Sequence, residues 1–333
     1  MLKPSYLETK ARKNKIPLII VSMIVLFVAI GWLLYSYFGH RLIKAMYEGR
    51  SLEILNRIIE GQAVHPVEFY FEKALFLILN VYLIGIGILI GIGIFLTRRR
   101  ENLDLQLNER TIFIFPLLLV LGFVFLYVFL PNWYLLLVKE DSIVENLQAG
   151  SYLLASAITF IALTKLRKSL HKYIFLLLLM FACTTLFIFF EEISWGQRIL
   201  GIKTPEFFTA YNMQKEITLH NFTPVFEVCH IFYMAVGLYG GLAWIFTRNA
   251  TWRGADLPRF IIPEWFCSLY FLPIFFIHLW HRYILEWPNR GYLIWPQVAM
   301  WRHQEPCELL LALGFLLVAA INYKKALDLI KTS

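Results

Sequence analysis

The stretch that decides the fold is YIFLLLLMFACTTLFIFF, residues 173–190, in which no side chain is charged. A helix of this length spans roughly 27 Å at about 1.5 Å per residue, close to the hydrocarbon thickness of a bilayer. The stretch is followed at once by EEISWGQR, residues 191–198. The apolar run therefore predicts a membrane-spanning helix, and the charged string predicts the place where it ends.

Similar apolar runs recur outward from this one in both directions. Of the 333 residues, 59% are hydrophobic and 16% are charged, whereas a soluble domain has about 45–50% and about 25%. The pattern predicts an all-α polytopic membrane bundle of about eight helices, forming one membrane domain over residues 1–333. The predicted spans are residues 17–38, 70–97, 111–138, 142–165, 172–195, 224–246, 260–281 and 306–326.

The distribution of basic residues predicts the orientation. With both termini in the cytoplasm, 19 of the 31 lysines and arginines lie on the cytoplasmic side, as the positive-inside rule requires. The net charge of +8 is then explained by topology, and there is no nucleic-acid-binding module. We predict a multi-pass protein of the bacterial inner (plasma) membrane, anchored from its first span, with no nucleic acid as a partner.

Acids and histidines have the opposite distribution. In the same orientation 16 of the 23 acids and seven of the eight histidines lie on the outer side. The positive-inside rule concerns lysine and arginine and says little about acids. The bias therefore predicts a polar cluster that faces outward, and membrane topology alone does not explain it.

The strongest candidates for chemistry are acids next to apolar sequence. Glu191 and Glu192 directly follow the run LFIFF, and such acids are costly in a membrane unless they are paired or solvated. A general acid or base must also be able to exchange a proton with a substrate. The predicted catalytic residues are Asp141, Glu145, Glu191, Glu192 and His220.

Other polar side chains could hold a substrate. Arginine binds phosphate and carboxylate groups well, and amide side chains orient polar groups. For Trp195 the alternative is a place in an interfacial aromatic belt. The predicted substrate-binding residues are Trp195, Gln197, Arg198, Asn212, Gln214, Asn221, Arg282 and Arg302.

A second set could bind a divalent metal ion. Glu227 and His230 form a Glu-x-x-His pair on one helix face, an arrangement that helical bundles use for metal ligands. His278 and His281 end the seventh predicted span. The predicted metal ligands are therefore Glu227, His230, His278 and His281, and the alternative is that the histidines are satisfied interfacial residues. Glu305 and Glu308 open the last span, either as part of the cluster or as an acidic helix start.

The first outer loop, residues 39–69, holds a further element. Leu52, Leu55 and Ile59 have helical spacing, with Arg50 and Arg57 on the other side. This pattern predicts a short amphipathic helix on the outer surface; a simple connector is the alternative.

The string EEISWGQR, with Asn212, Gln214, Glu216, His220 and Asn221 after it, resembles a family of bacterial multi-pass membrane proteins with the motif EExSWGQR…NxQxE…HN. The resemblance extends to Glu140, Asp141 and Glu145 and covers most of the chain from the third span onward. It implies a multi-pass membrane fold, and the family has no known activity to carry over.

Three functions fit these patterns. The first is an enzyme of the outer leaflet that acts on a lipid or lipid-linked substrate through the Glu, His and Arg cluster, with membrane lipid as its partner. The second is a transporter or lipid flippase, which requires polar residues through the depth of the membrane. The third is a non-catalytic structural or partner-binding membrane protein whose acids and arginines pair with one another.

Overall fold

A computed structural model describes residues 109–139, 141–166, 171–212, 214–248, 256–279, 302 and 304–332. The predicted spans 17–38 and 70–97 and the amphipathic helix of the first outer loop lie outside the described residues. The described α-helices are α1 (Glu109–Phe129), α2 (Pro131–Val138), α3 (Ile143–Leu166), α4 (Lys172–Glu192), α5 (Gln197–Leu200), α6 (Glu206–Tyr211), α7 (Thr223–Leu242), α8 (Asp256–Ile261), α9 (Ser268–Leu279) and α10 (Glu305–Thr332).

Six segments of the described chain are long and apolar enough to cross a membrane. The all-helical, multi-pass class predicted above is therefore confirmed for this part of the chain. The six segments are Glu109–Tyr127, Trp133–Lys165, Lys172–Glu192, Val228–Phe246, Arg259–Leu279 and Glu305–Asp328.

The predicted span 111–138 is divided into α1 and α2. Pro131 occupies the start of α2, and Leu130 before it has φ −136° and ψ 59°. Proline lacks the N–H of a continuing helix and pushes the preceding residue away from helical angles. The chain therefore breaks at Leu130 and restarts with proline in the first turn, where its missing N–H costs nothing.

The bundle is built around α10. This helix packs along α3 and α9, while α4 packs on α3 and α7 packs on α9. Small residues make the contacts close: Ala155 of α3, Ala182 of α4 and Ala312 of α10 are fully buried. Ser156 also donates its hydroxyl to the carbonyl of Ala182 at 2.9 Å. Small side chains and interhelical hydrogen bonds are the usual means of helix association in membranes.

The contact between α7 and α9 depends on glycine. A Cβ placed on Gly237 would lie 2.7 Å from the main-chain nitrogen of Phe275, and one on Gly240 would lie 2.3 Å from the Phe271 ring. The two helices therefore approach more closely than any other residue at these positions would permit.

The order of the helices brings one set of ends together. The start of α3, the end of α4, the start of α7, the end of α9 and the start of α10 meet at one end of the bundle, called here the cavity end. At the opposite end Lys325 of α10 donates to Glu264 Oε1 and to the Arg259 carbonyl, both at 2.6 Å. These two contacts of Lys325, called here the clasp, join the chain before α9 to α10.

Candidate functional site

A cavity of about 110 Å³ opens at the cavity end. One water needs roughly 10–15 Å³ in this measure, so the cavity has room for several waters or a small polar group. Its wall comes from five helices and from the chain between α4 and α7. It is lined by Glu145, Glu191, Glu192, Ser194, Gln214, Glu216, Thr218, His220, Asn221, Cys229, His230, Tyr233, His278, Arg302, Gln304, Glu305 and Glu308.

Most of the predicted site residues that can be placed line this one cavity. They come from three separate predictions, the catalytic, the substrate-binding and the metal-ligating. They are Glu145, Glu191, Glu192, His220, Gln214, Asn221, Arg302, His230 and His278. The side chains of Arg198 and Glu227, and the residues His281 and Arg282, lie outside the described part of the chain.

Glu191 holds the long loop against the end of α4. Its Oε1 accepts a hydrogen bond from Trp195 Nε1 at 2.6 Å. Its Oε2 accepts from the backbone N–H groups of Leu219 and His220, at 2.7 Å and 3.0 Å, and lies 3.1 Å from His220 Nδ1. Only 5% of the residue is exposed. Both carboxylate oxygens are therefore already used, so Glu191 acts on the site by positioning the loop and His220.

The turn after α4 has an unusual backbone. Ser194, Trp195 and Gly196 have φ angles of 48°, 54° and 75°. For non-glycine residues this left-handed region costs of order 1–3 kcal/mol each. The turn lets Ser194 donate its hydroxyl to Glu216 Oε2 at 2.6 Å, and it stacks Trp195 on Phe190 with 5.4 Å between ring centroids. This turn also explains why α4 ends at Glu192, before the predicted boundary at residue 195.

Two predicted substrate-binding residues brace the loop from inside instead of lining the cavity. Asn212 donates to the Thr218 carbonyl at 2.7 Å and accepts from the N–H groups of Gln214 and Glu216. Gln197 accepts from the N–H of Ile217 at 2.7 Å and donates to a threonine hydroxyl. Their amides satisfy backbone groups of a loop with little regular structure, which is what a stable irregular loop requires.

Asp141 and Trp195 also lie outside the cavity lining. Asp141 is exposed, with φ 57°, and its backbone N–H donates to Glu145 Oε2 at 2.6 Å. Trp195 donates to Glu191 and is 43% exposed on the outer surface of the bundle. Asp141 and Trp195 thus each contact an acid of the cavity wall, Glu145 and Glu191 respectively, without lining the cavity themselves.

Other acids of the cavity wall differ in whether a described residue forms a hydrogen bond or an ion pair with them. Glu305 is ion-paired with Arg302 at 2.9 Å and accepts from Gln148 Nε2 at 3.1 Å. From the residues that the structure describes, no hydrogen bond or ion pair reaches Glu192 or Glu308, and both are half-buried in the cavity wall. Among the described residues, Glu192 and Glu308 are thus the two acids of the wall whose oxygens have no hydrogen-bond or ion-pair partner.

Two histidines form a direct pair beside these acids. His230 of α7 and His278 of α9 are buried, with 2.6 Å between their Nδ1 atoms. The His278 ring stacks on Tyr233 at 4.5 Å between centroids. In such a contact one Nδ1 donates and the other accepts, so at least one ring must be neutral. Within the described ranges no group of three or more His, Cys, Asp or Glu side chains is arranged to hold a metal ion.

Several lining residues were not among the predicted site residues. They are Ser194, Glu216, Thr218, Cys229, Tyr233, Gln304, Glu305 and Glu308. Glu308 directly precedes the apolar run LLLAL, as Glu192 follows one, and Glu305 opens the same predicted span. Tyr233 lies three residues after His230 on the same helix face, and Glu216 belongs to the string that carries the family resemblance. The other lining residues have ordinary sequence surroundings.

Comparison with known proteins found no matching family model, no matching curated protein and no matching solved structure.

Proposed function

We propose that this protein is an enzyme of the outer membrane leaflet, which moves protons to and from a lipid or lipid-linked substrate bound in the cavity. The proposal includes eight spans with both termini in the cytoplasm, so that the cavity faces outward from a bacterial inner membrane. The distribution of basic residues supports this orientation. Membership of the bacterial multi-pass family named above remains a prediction, as does a divalent metal cofactor.

The observation that carries the proposal is the combination of uncommitted acids and a histidine pair in one cavity. Glu192 and Glu308 line it without a hydrogen-bond or ion-pair partner among the described residues, and His230 and His278 contact each other in the same wall. Acids left without partners at the edge of a membrane are expensive. Acid–base catalysis is a use that requires such groups to stay available to a substrate.

The roles divide between two kinds of residue. Glu192 or Glu308 would accept or donate the proton at the substrate, and the histidine pair in the same wall would take up that proton and return it during the reaction. Glu191, Asn212 and Gln197 would keep the loop in place. Arg302, paired with Glu305 at the cavity, is the group suited to a phosphate or carboxylate.

The level of the cavity in the membrane supports a lipid substrate. Two of its acids lie at the ends of membrane-length helices: Glu192 ends α4, and Glu305 begins α10. In a bilayer this is the level of the headgroups. A substrate that is anchored in the leaflet would carry its polar part at this level.

The test is Glu192→Gln, with Glu206→Gln on the exposed start of α6 as the matched control. Each protein is expressed in a bacterial host, and total lipids and lipid-linked intermediates are compared by mass spectrometry. We expect the abundance of one lipid species to differ from that in the empty host when the wild type or Glu206→Gln is expressed. With Glu192→Gln its abundance should equal that in the empty host. Purified folded yield must be equal for all three proteins. A lipid profile identical to that of the empty host for the wild type would argue against the proposal.

A second candidate is a structural or partner-binding membrane protein, which the four contacts of Glu191 favour. In that case Glu191→Gln, Glu192→Gln and Glu308→Gln would all reduce the folded yield, and none would alter a lipid. If the protein is an enzyme, the variants should differ. Glu191→Gln would lower the folded yield, whereas Glu192→Gln would lower only the turnover of the lipid.

The transporter alternative has less support in the described part of the chain. Below the cavity the hydroxyl groups of α3 bond to carbonyls: Ser151 to Leu147, Ser156 to Ala182 and Thr159 to Ala155. Hydroxyls used in this way serve helix structure and packing. They do not offer a substrate a continuous polar path.

A further inference from the structure

The segment after α4 carries a group of exposed apolar side chains, which we call the collar. Its members are between 47% and 76% exposed. They lie on α5, on α6 and in the chain between them, directly beyond the end of a membrane-length helix. The collar consists of Ile199, Leu200, Ile202, Phe207 and Tyr211.

The aromatic part of the collar is held in a fixed arrangement. The Phe207 ring contacts the rings of Tyr211 and Phe222, with centroids 5.2 Å and 5.4 Å apart. Asn212 and Phe222 also pair through their backbones. The rings are therefore supported on one side by the loop and exposed on the other, and contiguous exposed apolar patches mark contact surfaces.

The collar continues the apolar outer surface of the spanning helices. Trp195, in the turn that leads from α4 to the collar, contacts Phe187 of α4 and stacks on Phe190, and both Trp195 and Phe187 are exposed. On α7, next along the chain, Val228 and Ile231 are exposed as well. A surface that continues the lipid-facing side of a spanning helix is itself in position to meet lipid.

The other side of the same loop is polar. Gln214, Glu216, Thr218 and His220 line the cavity, while Lys203, which directly follows Ile202 of the collar, and Lys215 are exposed. Lysines next to an apolar surface suit the phosphates of a lipid headgroup region. The loop therefore separates an apolar surface from a polar cavity.

We propose that the collar inserts into the lipid leaflet at the cavity end, and that a phospholipid lying against its rings presents its headgroup to the cavity from the side. The first half stands by itself. The second half rests on the proposed function and narrows its substrate class to lipids that arrive laterally from the bilayer.

Site-directed spin labelling tests the insertion without knowledge of a substrate. The four cysteines are replaced by alanine in the full chain, and a nitroxide is attached at Phe207→Cys or at Thr209→Cys, on the opposite face of α6. The protein is reconstituted in vesicles of phosphatidylethanolamine and phosphatidylglycerol. Accessibility to oxygen, which concentrates in lipid, is compared with accessibility to an aqueous nickel complex.

We expect the label at residue 207 to respond mainly to oxygen and the label at residue 209 mainly to nickel. If both labels respond mainly to nickel, the collar faces water and the proposal is wrong. A version without the cysteine replacements, carrying Phe207→Glu, is tested for lipid turnover in the same host assay, because a charge at that position should withdraw the collar from the leaflet.

The two proposals fail in different ways. Oxygen access at residue 207 would support insertion of the collar. If the lipid profile then did not depend on Glu192, the proposed enzymatic function would be rejected while insertion stood. A profile that depends on Glu192 but not on Phe207→Glu, at equal folded yield, would keep the enzyme and exclude lateral entry past the collar.

Discussion

At the scale of single residues, neighbouring acids take different roles although they have the same sequence surroundings. Glu191 and Glu192 both follow an apolar run, yet Glu191 is surrounded by donors from the loop whereas no described hydrogen bond reaches Glu192. Successive residues of a helix point about 100° apart. One of two adjacent acids can therefore hold the loop while the other stays available in the cavity.

The loop contacts of Glu191 lead to a stability prediction. Glu191→Gln replaces one acceptor oxygen with an NH₂ group that faces donors, and it removes the charge from the remaining hydrogen bonds. Hydrogen bonds to a charged group contribute about 1.5–3 kcal/mol, so we expect a loss of about 2–3 kcal/mol and a lower thermal unfolding midpoint in detergent. Glu206→Gln, on the exposed start of α6, should change the midpoint only slightly. Equal midpoints for Glu191→Gln and the wild type would rule out the anchoring role.

At the scale of helices, the distance between α7 and α9 controls the histidine pair. His230 lies on α7 and His278 on α9, and the glycines of α7 set how closely these helices approach. The contact between α7 and α9 thus packs the middle of the bundle and also sets the distance between the two histidines at the cavity.

Gly237→Ala tests this dependence. Its Cβ would meet the main chain of Phe275 at 2.7 Å, and main chain cannot move without shifting α9. Overpacking of this kind costs about 1–3 kcal/mol, and we expect both a lower unfolding midpoint and a weaker contact between the imidazoles. The midpoint is measured by thermal unfolding, and the imidazole contact by ¹⁵N NMR of histidine-labelled protein.

The matched control is Gly150→Ala in α3, where a Cβ would have no neighbour within 4 Å. Alanine favours a helix over glycine by about 0.5–1 kcal/mol, so this variant should be as stable as the wild type or slightly more so. If Gly237→Ala behaved like Gly150→Ala, close packing would not be what positions α9.

Helices are also the scale at which sequence prediction was most accurate. The predicted spans 142–165 and 306–326 correspond to α3 and α10, since an apolar run of membrane length is a local property. The differences lie at the ends and breaks. Pro131 divides the third span, and the left-handed turn at Ser194 ends α4 early. These boundaries depend on backbone geometry, which hydropathy does not report.

At the scale of the whole molecule, the bundle is held at both ends by polar contacts across α10. At the cavity end Gln148 donates to Glu305. At the other end buried Lys325 pairs with Glu264. Helices from distant parts of the chain are thus joined to α10 above and below its apolar middle.

The clasp at Lys325 yields the last prediction. Glu264→Gln leaves a buried ammonium group without its counter-charge, a change that typically costs about 3–5 kcal/mol. The double variant Glu264→Gln with Lys325→Met removes both charges and should recover much of the lost stability. Thermal unfolding of the single and double variants measures the difference, and a double variant less stable than the single one would contradict this account.

The amino-acid sequence by itself determined the all-helical, multi-pass class of the described part of the chain and the approximate positions of its long helices. A chain in a bilayer must satisfy its backbone hydrogen bonds internally, so long apolar runs have few conformations open to them. It also indicated which end of the bundle carries the acids and histidines. Only the tertiary structure decided which of those side chains share a cavity: Glu308 lines it, Asp141 does not, and Glu191 holds the loop. The physical reason is that hydropathy acts along the chain, whereas a cavity depends on how each helix is rotated against neighbours far away in sequence.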